Sequence, residues 1–148
     1  LDVYMYRLSI AERASGVPRH TVEASLTLSY TRAGTTVSAK QVVDAGSYRG
    51  ARFAQVGASH ARQLTPRATL EVSALVGWAS GKFNRSYIGP DRAAVALATA
   101  GVSFTRRVGR HAYLRPHAEV SIVPDARLRA ALTRPANAVV GVAFGVVR

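Results

Sequence analysis

His117, Glu119 and Ser121 are the residues in this chain whose types and spacing come nearest to chemistry. A base, a carboxylate and a hydroxyl at i, i+2 and i+4 share one face of a strand. Together they are the side-chain types of a hydrolytic triad. The spacing argues against a triad within one strand. At ~3.4 Å per residue, His117 and Ser121 stand ~13 Å apart, whereas a base must approach its nucleophile to within ~3.2 Å. A serine from a neighbouring strand is the only route to a working pair. Ser59 and His60 are adjacent in sequence, so on a strand they point to opposite faces. The histidines at 20, 60, 111 and 117 lack metal-ligand spacing. Asp44 and Asp91 are single loop carboxylates, short of a calcium site. No glycine-rich phosphate loop occurs. Cysteine is absent, which excludes disulfides and thiolate chemistry. No catalytic, cofactor-binding or metal-binding residue is assigned, and no cofactor is expected.

The elements that must position these residues are strands. From Ala68 the chain alternates strictly, with Ala68, Leu70, Val72, Ala74, Val76 and Trp78 on one side and Thr69, Glu71, Ser73, Leu75 and Gly77 on the other. Period two predicts a β-strand with one apolar face. Its length is near the ~9–11 residues with which a tilted strand crosses a bilayer. The same plan recurs over Asp2–Ala11, His20–Thr31, Thr36–Val43, Ala51–Ala61, Ala93–Arg106, His111–Val123 and Ala136–Val147. In Ala93–Arg106 the alternation places Ala94, Ala96, Ala98, Ala100, Val102 and Phe104 together. Pro116 cannot donate to a ladder, so a bulge or local irregularity is expected there. Ser80–Arg92 reads as a loop, and Asp125–Leu132 as a weak helical segment inside another. Connections alternate between long loops and tight turns. The expectation is all-β, an eight-stranded antiparallel up-and-down transmembrane β-barrel forming a single domain over residues 1–148. With no export signal ahead of it, Leu1 reads as a cut, so the chain is expected to be mature or the barrel part of a longer protein.

The formal net charge of +12 suggests an anionic partner. Its distribution decides which. Ala93–Thr105 and Ala136–Val147 carry no charge, and arginines gather where strands stop. Nucleic-acid binders interleave cations with aromatics along a face, so no nucleic acid is expected. Two cationic rims instead suit membrane lipid. The polar rows hold Ser, Thr, Gly and Ala with few charges, which suits the crowded inside of a narrow barrel better than a water-facing surface. Arg7, Glu23, Lys40, Glu71, Arg115, His117 and Glu119 are expected to form a polar network in that lumen. Tyr4, Tyr30, Trp78 and Phe104 are expected as interface aromatics. Arg85, Arg92, Arg127, Arg129 and Arg134, on long loops, are candidate contacts for lipopolysaccharide phosphates.

Three segments carry a resemblance: Phe53–His60 (FAQVGASH), Leu70–Gly81 (LEVSALVGWASG) followed by Asn84, and Val140–Phe144 (VGVAF). Their order resembles a loosely defined group of uncharacterised bacterial outer-membrane β-barrel proteins. That group has a G-x-S-H strand, a short turn, an S-x-x-x-G-[YW]-x-x-G-x-x-N passage and a final G-x-x-aromatic strand. The resemblance covers residues 21–148 and implies a fold and the bacterial outer membrane, not an activity. The last strand also looks like an outer-membrane assembly signal, with Gly141, Phe144 and Val146 at its glycine and hydrophobic positions. This implies the outer-membrane assembly machinery as a partner, although Val147-Arg148 replaces the usual terminal aromatic. Outer-membrane lipid A deacylases are also small barrels, but their H-x-S-N element is absent. The expected role is structural, anchoring or surface-interacting, non-enzymatic and without a wide pore. The alternatives are a soluble lipocalin-like barrel holding an apolar ligand, and a lipid A-modifying hydrolase.

Overall fold

The computed structural model describes residues 2–7 and 20–146, with side chains from Thr21 onward. The chain is all-β. Strand β1 spans Asp2–Arg7, β2 His20–Arg32, β3 Thr35–Asp44, β4 Arg52–Thr65, β5 Ala68–Ala79, β6 Ala94–Val108, β7 Ala112–Ile122 and β8 Ala136–Val146. Two short helices, α1 (Gly81–Tyr87) and α2 (Ala126–Ala130), lie within the long loops. The strands from β2 to β8 form one antiparallel meander in which each pairs with its sequence neighbour, and β1 adds to its first edge.

The expected ring is not closed. Among the described residues no ladder joins β8 to β1. Among the described residues, β1 pairs with β2 only over His20–Ser25, and β2 from Leu26 to Arg32 pairs with β3 alone. The register also sets Tyr4 across from Glu23 and Arg7 across from His20. Those are the opposite rows from the ones expected, because a shift of one residue exchanges the faces of a whole strand. The side chains of Tyr4 and Arg7 lie outside the described residues.

Tight turns fix the register at one end. Ala33 and Gly34 both have positive φ, 49° and 79°, the type I′ geometry that matches strand twist in a two-residue hairpin. Glycine is required at position 34 for a second reason. A Cβ there would stand 2.6 Å from the Ala61 carbonyl oxygen, and the Ala61 N–H donates to the Gly34 carbonyl at 2.8 Å.

The two faces of the sheet differ as the alternation requires. One is bare: Leu28, Val140 and Phe144 are 65%, 83% and 70% exposed, and Tyr30, Val56, Val72, Val76 and Val142 are exposed beside them. The other face carries Ser, Thr, Gly and the scattered charges, and at the loop end α1 and α2 cover it. There Ala79, Ala94, Ala96 and Leu128 form the core, with Phe53, Phe83, Ile88 and Val123 packed against it.

Strand β6 departs from the expected alternation at its start. A bulge opposite Gly77 and Trp78 pairs Trp78 with Val95. One extra residue on one strand reverses the faces beyond it. Ala94 and Ala96 are therefore buried under the helices while Val95 is exposed. At Pro116 the ladder to β6 is interrupted between the His117 and Leu114 pairs without a change of register, so the irregularity is a gap and not a bulge.

Large rings on the covered face lie over glycines. His117 sits across from Gly141, and a Cβ on Gly141 would come within 2.6 Å of its ring. Gly141→Val is therefore expected to destabilise the fold by ~1–3 kcal/mol through overpacking. Combining it with His117→Ala should recover most of the loss. Urea unfolding of the two single variants and the double variant measures this, and a double no better than Gly141→Val would contradict the stacking.

Candidate functional site

Register brings Glu71, Ser73, Ser103, Arg115, His117 and Glu119 together on the covered face, around a groove of about 310 Å³. β5 contributes Glu71, β6 Ser103, and β7 Arg115, His117 and Glu119. Arg115 reaches across two strands, its Nη2 3.4 Å from Glu71 Oε2 and its Nε donating to Ser103 Oγ at 3.2 Å. Both members of the ion pair are more than a third exposed. Ser121 donates to Glu119 at 3.4 Å and shares a hydrogen bond with Thr99 at 3.0 Å.

The serine that the register sets beside His117 is engaged elsewhere. Ser103 is the serine opposite His117 in the ladder, yet its hydroxyl accepts from Arg115. Among the described residues, no His117–serine hydrogen bond accompanies it. His60 lies on the bare face, with Nδ1 2.9 Å from Thr35 Oγ1, and no group of three His, Asp or Glu could hold a metal ion among the described residues.

A second polar cluster lies toward the loop end, where Glu23 and Lys40 sit. Asp44, at the end of β3, is buried. Its Oδ1 accepts from the Gly46 N–H at 2.8 Å and the Tyr48 N–H at 3.1 Å, and its Oδ2 accepts from the Thr21 hydroxyl. The Ser47 N–H then donates to Thr21 Oγ1 at 3.2 Å. This closes the loop over Val22 and presents Tyr48 to Tyr87, with ring centroids 5.1 Å apart. Tyr87 stacks on Phe83 at 4.5 Å, and Phe83 on Phe53 at 5.4 Å. The Tyr87 hydroxyl donates to Glu23 at 3.4 Å. Burial, and then the negative charge of Glu23, push the Tyr87 phenol well above its ordinary range. The expected lumen residues are thus split into a groove at mid-height and this aromatic plug.

The plug rests on signals that composition and motif spacing did not expose. Ser80 caps α1, accepting from the Phe83 N–H at 3.2 Å and from the Arg52 N–H at 3.0 Å. Asn84 is fully buried and donates to the Arg92 carbonyl at 2.6 Å; its Oδ1 has no hydrogen-bond partner. The sequence Ser80-x-x-Phe83, ahead of a helix, is the local pattern that marks this cap. The Asp44-x-Gly46-x-Tyr48 run is likewise an Asx-turn signature.

The interface and loop residues are placed as follows. Tyr30, Trp78 and Phe104 all lie on the bare face, with Phe104 paired to Leu70. Arg85 pairs with Asp91 and Arg92 with Asp125, both at 3.1 Å. Arg129 donates to the Pro124 carbonyl at 3.0 Å. Arg127 and Arg134 are exposed. Asp125 also caps α2 through the Arg127 and Leu128 N–H groups at 3.0 Å. The Leu128 N–H above all, and Arg92, hold its carboxyl below the usual carboxylate range.

Comparison of the chain with family models, curated proteins and solved structures finds no match.

Two outcomes follow from the plug. Asp44→Ala strands two backbone donors and a hydroxyl and should cost ~1–3 kcal/mol in urea unfolding, whereas Asp44→Asn, which keeps an acceptor, should cost less. Tyr87 should ionise above the ordinary phenol range in a spectrophotometric alkaline titration, and Tyr87→Phe should remove that late phase. Because the folded phenol is raised above its ordinary value of 10.0, the stabilisation is present below that pH and is lost as pH rises through the folded value.

Proposed function

We propose that this chain is an outer-membrane β-barrel of eight strands with a structural, anchoring or surface-interaction role and no wide aqueous pore. The observation that carries the reading is the bare face. Aliphatic and aromatic side chains run along it from Leu26 in β2 to Val146 in β8. They form a row of exposed apolar side chains that the described residues leave uncovered, and large apolar patches mark an interaction surface or a membrane. Lipid is the solvent that matches such a face. The charges add support, since Arg62, Arg106 and Arg110 stand at the turn end and Arg85, Arg92, Arg127 and Arg134 at the loop end, outside the apolar band. The small residues and flat-lying rings of the other face suit the interior of a narrow barrel, in which side chains fill the space. The loop-end helices would close its mouth.

The role that fits is one carried by surface and position. Among the described residues Arg127, Arg129 and Arg134 form no ion pair with a carboxylate, and these loop-end arginines are the best placed for lipopolysaccharide phosphates. Arg85 and Arg92 would have to share themselves with Asp91 and Asp125.

Detergent dependence and gel migration test the reading. The chain should stay monodisperse only in detergent or lipid, and should migrate differently before and after boiling. Because the chain has no native cysteine, closure is open to direct test. A cysteine at Met5, scanned against Ala138, Val140 and Val142, should cross-link to one of them in the folded state. A monodisperse monomer in plain buffer would sink the membrane reading, and the absence of any β1–β8 cross-link would sink closure.

A further inference from the structure

We propose that the turn end of the sheet holds a binding site for the phosphate of an anionic glycerophospholipid, formed by Arg67, Arg106 and Arg107 around a groove floored by Phe104 and Pro66. The proposal rests on the membrane reading above and goes beyond it by naming a lipid class and a place.

The groove has a volume of about 480 Å³. The β4–β5 turn supplies Pro66 and Arg67, and the end of β6 supplies Phe104, Arg106 and Arg107. Backbone pairing locks the two together: the Arg107 N–H donates to the Arg67 carbonyl at 2.8 Å, and Ala68 stands across from Arg106. The three residues therefore line one groove at the end of the ladder, and all three are exposed.

Charge is what makes this rim a site. No carboxylate lines the groove, and the sequence has none between Arg52 and Leu70 or between Arg92 and Ala118. Glu71 is the nearest acid along β5, and Arg115 engages it at 3.4 Å. The contrast with the loop end is direct, for there Arg85 and Arg92 each keep a carboxylate at 3.1 Å. Uncompensated arginines in a fixed cluster suit a phosphate, which guanidinium binds in a bidentate manner.

The surroundings choose a lipid phosphate over a free one. Phe104 pairs with Leu70, and Val72 and Val102, one row further on, are exposed on the same face. A phosphate on the rim would thus lie at the end of an apolar lane along which an acyl chain can run. Anionic headgroups gain ~1 kcal/mol from each basic residue near the membrane surface, about fivefold in affinity. Three arginines make the expected difference at least tenfold.

The test uses the full chain purified in neutral detergent, with phosphatidylglycerol and phosphatidylcholine as probes and native mass spectrometry as readout. The wild type should retain phosphatidylglycerol at least tenfold better than phosphatidylcholine. The triple variant Arg67→Gln, Arg106→Gln, Arg107→Gln should lose that preference, while the loop-end control Arg49→Gln, Arg52→Gln, at two exposed arginines, should stay within about twofold of wild type. Excess inorganic phosphate should displace little of the lipid; complete displacement would overturn the lipid assignment in favour of a free-phosphate site. Unchanged lipid preference in the triple variant, with normal heat-modifiable migration, would overturn this site alone. A wild-type chain that needs no detergent would overturn the membrane reading and this proposal with it.

Discussion

One constraint governs the rest of this structure: a single antiparallel sheet has two faces, and the chain covers only one of them. The covered face receives α1, α2 and the aromatic plug. The bare face receives nothing, although it carries most of the large aliphatic side chains. Apolar area contributes ~25 cal/mol per Å² only when it is removed from water. For this sheet the described residues supply no such burial on the bare face. Its own core is correspondingly small and consists mainly of alanines and Leu128 beneath two short helices. The period-two pattern thus does more than specify strands. It divides the residues so that the fold is completed by its surroundings.

Much of this was legible in the sequence because strand alternation is a local property. The rows of β2, β3, β4, β5, β7 and β8 follow directly from residue order, and so does the sequence of loops and turns. What was not legible depends on pairing. Alternation places Ala94 and Ala96 with Ala98, but the bulge against Gly77 and Trp78 turns them under the helices, and a bulge leaves no mark on one strand read by itself. The rows of β1 were likewise open to a one-residue slip, which its register with β2 resolves. The Asp44 turn, the Ser80 cap and the ring stack from Phe53 to Tyr48 arise from contacts between loops distant in sequence. Glu71, Arg115, His117 and Glu119 line one groove, and only cross-strand register shows that Arg115 selects Glu71 and Ser103.

The strand-to-loop passage that carries the resemblance acquires a physical reading from these contacts. Gly77 lies beneath the Phe53 ring, where a Cβ would collide with it. Trp78 faces the bare side at the end of the apolar row. Ser80 caps α1 and joins it to the first residue of β4. Asn84 is buried and anchors the Arg92 carbonyl at the return of the loop. A Cβ on Gly81 would stand 2.5 Å from Asp91 Oδ1. Gly77, Trp78, Gly81 and Asn84 thus all lie at the corner where a long strand becomes a covering helix.

The edges link the membrane and the barrel into one argument. β8 presents eleven residues without a charge, and among the described residues β2 from Leu26 to Arg32 has a strand on one side only. Soluble proteins blunt such edges with lysine, proline or a bulge; β8 has none of the first two along Ala136–Val146. In lipid the difficulty is sharper, because an unpaired N–H or C=O in hydrocarbon costs several kcal/mol and open sheet edges are not tolerated there. Under the proposed membrane reading, a bare apolar face turned to lipid and an open edge that lipid forbids would be compatible only if the two edges met. The bilayer that would cover the face would also drive the closure. A chain transferred to water would have neither, and its long uncharged edge would then be free to pair with a second copy.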